Sequence, residues 1–356
     1  MADARWDVII VGLGLAGTTL AWHLREAGQR VLVIDGDEPV TSSKIAAGLI
    51  TPITGQRLVR SWRYDEFLLA AREFYTSIQK RTEQTFFHDR IALRLFRSET
   101  EQQNWADRRS KAEYQSHLTV PQPVPLLDPS LADASGGGFA MQAAQLDVAA
   151  YLEASRSALE WKPIFLDWHR DVSFKAEEVL ICGHRARRVI SCEGYAATRN
   201  PYFSWVPFVA AKGDILTVRF HDRVPPQCLH RGIWIAPTSD LDVFRVGSNY
   251  DWENLNQEPS ASARMEIESK LEEFFHVPYT VLDHHAAVRP IITESTALIG
   301  FHPEHERLGF FNGLGSKGAL RAPWYAQRFT DFLVHQTRLP DDLDLRKQIV
   351  SNDACH

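Results

Sequence analysis

Three glycines, Gly12, Gly14 and Gly17, stand between an apolar run and a helical one. Trp6–Val11 is short, continuous and rich in Val and Ile, the composition of a strand buried on both faces. Thr18–Ala27 reads as a helix stopped by Gly28, and Arg30–Ile34 as a second buried strand ending at Asp35. Few folds use a strand–turn–helix–strand unit closed by an acid. Gly12 permits the tight turn, Gly14 lets a pyrophosphate approach the backbone, and Gly17 lets the helix pack on the strand. The helix start offers N–H groups and partial positive charge to phosphates. Asp35 is placed to accept hydrogen bonds from a ribose, and its charge disfavours an extra phosphate there. The unit therefore predicts a Rossmann-like dinucleotide-binding domain.

The 356 residues leave room for about two domains at roughly 150 residues each. With 44% hydrophobic and 24% charged residues, the composition excludes global disorder. Cys182, Cys192, Cys228 and Cys355 form no CxxC pair, which excludes a disulfide scaffold. The net charge of -6 gives no general basic footprint, so nucleic acid is not an expected partner. Asp3 and Asp7 occupy the place of a cationic leader region, and Val8–Leu20 is too short to span a bilayer. No signal peptide or membrane segment is expected, and the expected compartment is the cytoplasm with reduced cysteines.

Downstream, a helix is expected over Asp65–Gln84, with Phe67, Ala71, Phe74 and Ile78 on one face. Ser98–His117 is charged and helical in pattern, and Pro121–Pro129 with Gly136–Gly138 reads as a loop. Leu146–Leu159 reads as a helix with Asp147 near its start. Strands are expected around Phe165–Trp168, Val179–Cys182, Arg188–Cys192, Phe208–Phe220, Gly232–Ala236, Val243–Gly247, Ala297–Ile299 and Leu308–Phe311. Ser260–Phe275 reads as a helix, and Pro323–Gln336 as a helix with Pro in its first turn. The fold class is α/β: a Rossmann-like domain with an inserted antiparallel-sheet domain. The expected division assigns 1–80, 140–200 and 285–356 to the first, and 81–139 and 201–284 to the second.

Four further segments occur in a telling order: Thr41–Ile50, Arg188–Ala197, Arg289-Pro290 before Thr293–Gly300, and Asn312–Pro323 opening the last helix. Together with the glycine motif they resemble the D-amino-acid oxidase family of flavoproteins, which includes glycine oxidase and sarcosine oxidase. The resemblance spans nearly the whole chain and implies a glutathione-reductase-type FAD domain. It implies an extended FAD whose pyrophosphate meets Gly12, Gly14, Leu15, Ala16 and Gly17, with its ribose at Asp35. Thr41, Ser42, Ser43, Ala47, Gly48, Cys192 and Gly194 would also meet the cofactor. Gly313, Gly315, Ser316, Lys317, Gly318 and Ala319 would run past the isoalloxazine. Where some relatives attach flavin through cysteine, this chain has Ala286-Ala287-Val288, so the FAD is expected to be non-covalent.

The resemblance also places Arg289 where the family grips a substrate carboxylate, a task suited to a planar guanidinium. Arg60 and Lys317 make a second candidate cradle, and Tyr250 is a candidate pocket residue. Arg245 falls near the position of a lysine that assists oxygen reduction in sarcosine oxidase. His284-His285 and His302/His305 lack the acid or cysteine of a familiar ligand spacing, so no metal is expected. The implied activity is oxidation of the C–N bond of a small amine or amino acid. Hydride passes to flavin N5, the imine is hydrolysed, and oxygen or another acceptor takes the electrons. A flavin-holding partner subunit and an oxidase of a modified tRNA base remain open alternatives.

Overall fold

Trp6–Val11 runs at the centre of a largely parallel sheet. Its neighbours are His184–Ser191 on one side and Val31–Asp35 on the other, both parallel to it. The order continues outward to Leu308–Asn312 and Leu298–Phe301 at one edge, and to Trp161–Pro163 at the other. Val8 and Ile10 enter one hydrophobic core, with Leu20 and Leu24 of the helix Leu15–Glu26. Ile9 and Val11 enter a second core on the opposite face. This alternation between two cores explains why the strand is apolar at every position. The structure is a computed structural model that describes residues 5–119, 137–222, 224, 226–293 and 297–348.

A second sheet has eight strands in the order Tyr279–Arg289, Ala211–Phe220, Val243–Gly247, Ile233–Pro237, Cys228–Arg231, Phe87–Leu95, Gly138–Leu146 and Leu49–Ile50. Cys228–Arg231 pairs in parallel with Phe87–Leu95, inside an otherwise antiparallel arrangement. Side chains alternate between its faces. Leu93, Leu229, Ile235, Val246 and Leu216 pack under the helix Ala261–Glu272. Their neighbours one residue on or back, Arg94, His230, Trp234 and Ile215, line a cavity on the other face. Sheet membership departs from the expected division in three places, the first being Leu49–Ile50, a strand of the second sheet. Gly138–Leu146 and the whole of Tyr279–Arg289 belong to this second sheet.

Several expected elements shift. Helix Leu15–Glu26 starts directly after Gly14. Phe165–Trp168 is not a strand; the local strands are Trp161–Pro163 and Val172–Phe174. Its apolar residues instead cover the parallel sheet as irregular chain, with Trp168 in the core. The strand Phe87–Leu95 went unread because its first half, His88-Asp89-Arg90, is charged. The expected Pro121–Pro129 loop lies outside the described residues.

The last helix is Gly318–His335, which puts Pro323 in its interior and not its first turn. A proline there removes the N–H that would bond the Ala319 carbonyl. The buried Tyr75 hydroxyl donates to that carbonyl at 3.0 Å. A side chain from helix Tyr64–Thr82 thus supplies the missing bond. Among the described residues, no helix is long and apolar enough to cross a membrane.

Candidate active site

The glycine turn packs too tightly for side chains. Gly12 has φ +108°, and a Cβ on it would lie 2.5 Å from the Cys192 carbonyl oxygen. A Cβ on Gly17 would stand 1.9 Å from the Gly12 carbonyl oxygen. Asp35 binds the turn directly: Oδ2 accepts from Leu13 N at 2.6 Å, and Oδ1 from Asp37 N at 2.7 Å. Ser43 Oγ accepts from Leu15 N at 3.0 Å. Gly14 itself has no side chain to cap the helix and Ser43 takes only its first N–H, so the rest of the helix start remains available to an anion.

This turn opens into a cavity of about 810 Å³. Of all residues expected to meet cofactor or substrate, all but Gly17, Gly313 and Arg60 line it. Gly17 and Gly313 act on the backbone instead: Gly313 has φ +87°, and a Cβ there would press on Ile292. Arg60 is turned away and paired with Asp65. The expected pairing of Arg60 with Lys317 in one cradle is therefore not what the structure shows.

Lys317 follows Gly315 and Ser316 in a short turn ahead of the last helix. Its Nζ donates to Ser61 Oγ at 2.9 Å and Thr54 Oγ1 at 3.2 Å. Both partners are neutral, and burial lowers its pKa from 10.5 to about 8. Arg289 ends the edge strand of the second sheet. Its Nη2 donates to Ser248 Oγ at 2.6 Å, and its Nη1 to the Lys212 carbonyl at 3.3 Å. The guanidinium lies against Gly213, where a Cβ would be 2.0 Å from Nη2. It also stands over the Tyr250 ring, 4.4 Å from its centroid. Burial lowers its pKa, while Tyr250 and Asp214 oppose that shift. Asp214 Oδ1 accepts from His284 Nε2 at 2.9 Å and Ser260 N at 3.0 Å, while its Oδ2 is buried without a hydrogen-bond partner. Arg289 lines the cavity and is hydrogen-bonded to Ser248 and Lys212, with no carboxylate at ion-pair distance among the described residues.

Ile45, Ile215, Ala287 and Trp234 pack together and form an apolar stretch of the cavity wall. Such a wall excludes water and strengthens charge interactions beside it. Arg245 does not line the cavity; its Nη1 donates to the Ala46 carbonyl at 2.6 Å. The histidines are engaged elsewhere: His285 meets Asp283 at 2.8 Å, and His302 packs against His305. Among the described residues, no group of three or more His, Cys, Asp or Glu is placed to hold a metal ion.

Phe165, Arg94, Arg97 and His230 are among the cavity residues that went unread in the sequence. Phe165 stands against Gly36 near Asp35. Arg94, Arg97 and His230 lie on the second sheet or just beyond one of its strands. Nothing local marks the last three, because they meet only through the parallel pairing of distant strands.

A family model described as FAD dependent oxidoreductase, DAO, matches residues 7–332. Glycine oxidase of Pseudomonas putida is 25% identical over 364 aligned positions, covering 92% of this chain and 94% of that protein. A local match to the uncharacterized oxidoreductase YurR of Bacillus subtilis is 44% identical over 54 residues, covering 15% of this chain and 14% of that protein. The solved glycine oxidase of Bacillus cereus superposes with TM-score 0.79 at 14% identity, over 94% of this chain and 96% of that one.

Proposed function

From the premise that this chain belongs to the DAO family of FAD-dependent oxidoreductases, we propose that it oxidises the C–N bond of a small amine or amino acid. The observation that carries the reading is Arg289, a buried guanidinium without a carboxylate partner in the cavity that also holds the glycine turn. The residues fit the cofactor: a turn with no room for Cβ atoms, a helix start whose N-cap glycine brings no side chain, and Asp35 beside both. In this reading the pyrophosphate meets Gly12–Gly17 and the ribose meets Asp35. Ala286-Ala287-Val288 provides no thiol for attachment, so the FAD is held without a covalent bond. When bound, FAD would supply the two-electron acceptor for oxidation of the carbon next to nitrogen.

The protein orients and shields. Arg289 presents two donor positions in one plane, which fixes a carboxylate in one orientation. Ser248 and Gly213 hold that guanidinium in place. Lys317, kept from any carboxylate, adds a second positive charge. The apolar wall of Ile215, Ala287 and Trp234 keeps water from the reacting carbon until the imine forms. Water then hydrolyses the imine to a carbonyl compound and ammonia or an amine, and oxygen or another acceptor takes the electrons. The test is product analysis. Turnover of an amino acid is expected to give keto acid and ammonia in equal amounts; substrate consumption without a carbonyl product would refute the reading.

A further inference from the structure

The second sheet brings three basic side chains to the cavity at a distance from Arg289. His230 pairs directly with Arg94 across the parallel strands Cys228–Arg231 and Phe87–Leu95. Arg97 follows two residues past the second strand, and its guanidinium lies against Gly232, 3.3 Å from where a Cβ would stand. All three line the cavity.

The charges in this group do not cancel. Arg94 is buried and paired with Glu101. The other Glu101 oxygen accepts from the Arg97 backbone N–H at 2.8 Å. Glu101 is therefore fully used, and no carboxylate pairs with the Arg97 guanidinium among the described residues. His230 Nδ1 and Arg94 Nε are both buried without a hydrogen-bond partner. Unpartnered buried donors and acceptors are costly, and a group that recurs on one cavity wall has a ligand as its natural partner. The same wall is tied to Lys317. Arg94 Nη2 donates to the Gly55 carbonyl at 3.0 Å, and Lys317 binds the adjoining Thr54.

The register sets the spacing. Gly213, on which Arg289 lies, belongs to Ala211–Phe220, and His230 stands three strands away. His230 is in line with Ile215, two residues along from Gly213, so about 4.8 Å per strand and about 3.4 Å per residue give roughly 16 Å between backbones, a gap that side chains from both ends reach into.

We propose that Arg97 and His230, backed by Arg94, form a second anion subsite, so that the substrate is an amino acid or amine whose far end carries a carboxylate. The inference rests on the C–N oxidation reading for the word substrate, but the subsite exists independently of turnover. Arg97 supplies the charge. His230 supplies a hydrogen-bonding nitrogen, and Arg94 holds the wall in place through Glu101.

The test uses the FAD-loaded protein and ligands that contain no amine. Glutarate and adipate are titrated against valerate and hexanoate, read by perturbation of the flavin spectrum and by calorimetry. The dicarboxylates are expected to bind at least tenfold tighter than the monocarboxylates of equal length. Arg97→Met and His230→Gln are each expected to bring that ratio toward one, and Arg97→Lys to keep part of it. Arg97 is exposed, so its variants are expected to fold, and retained flavin absorbance checks the fold of His230→Gln, whose site is partly buried. Equal binding of both acid types by the unaltered protein would overturn the proposal. So would an unchanged ratio in Arg97→Met, or loss of FAD in place of loss of the ratio. Selective dicarboxylate binding in a protein that oxidises no amine would keep the subsite and refute the proposed reaction; oxidation without selectivity would do the reverse.

Discussion

Replacing Tyr75 by Phe isolates one long-range bond. The hydroxyl is fully buried and donates to the Ala319 carbonyl, which Pro323 deprives of its helical partner. The substitution removes one oxygen, opens almost no space and leaves a buried carbonyl unpaired. That costs about 1–3 kcal/mol. For a chain this long the loss corresponds to a fall of roughly 1–4 °C in Tm. The assay is urea and thermal unfolding at one fixed FAD concentration, because bound cofactor raises apparent stability by mass action. The decisive comparison is a double-mutant cycle with Pro323→Ala. In that background an N–H at position 323 is available to the Ala319 carbonyl, so Tyr75→Phe is expected to cost less by about 1 kcal/mol or more. An equal cost in both backgrounds would refute the idea that Tyr75 substitutes for the bond proline removes.

Three other predictions follow from the cavity. Gly17→Ala forces a Cβ to 1.9 Å from the Gly12 oxygen and is expected to yield protein without flavin, read from the flavin-to-protein absorbance ratio; Gly28→Ala, with nothing within 4 Å, is expected to retain it. Arg289→Met removes charge-assisted hydrogen bonds worth about 1.5–3 kcal/mol. Steady-state kinetics are then expected to show kcat/KM for carboxylated substrates reduced roughly tenfold to somewhat over a hundredfold, and Arg289→Lys to recover only part because its donors are not planar. Lys317 is charged below its pKa of about 8 and neutral above it. Binding of propionate, which does not itself titrate there, is expected to weaken as pH rises through about 8, and Lys317→Met to flatten that profile.

The two ends of the cavity differed in how plainly the sequence announced them. The glycine turn and Asp35 are local: about thirty residues contain the whole βαβ unit, and each glycine answers a steric demand within it. Arg289 was legible only through resemblance, since its setting on Gly213 depends on strand pairing. Arg94, Arg97 and His230 were invisible, because parallel pairing joins strands more than a hundred residues apart. Arg60 was misleading for a related reason. Its sequence neighbours fit a carboxylate cradle, but its side chain is taken by Asp65. Pro323 was read by a sound local rule that Tyr75 overrides from another helix. Phe165–Trp168 had the apolar density of a strand, yet those residues lie as irregular chain over the parallel sheet and at the cavity.

The central claim is that the cavity brings an amine to bound FAD for oxidation. Anaerobic addition of amino acids and amines to the yellow protein tests it most directly, with the oxidised-flavin absorbance followed over time. The panel includes glycine, sarcosine, both enantiomers of neutral amino acids, and glutamate and aminoadipate. The account predicts bleaching by amino acids, a slower rate in Arg289→Met, and recovery of the colour once an electron acceptor such as oxygen is admitted. Flavin that none of these compounds bleaches, in protein that dithionite still reduces, would contradict it.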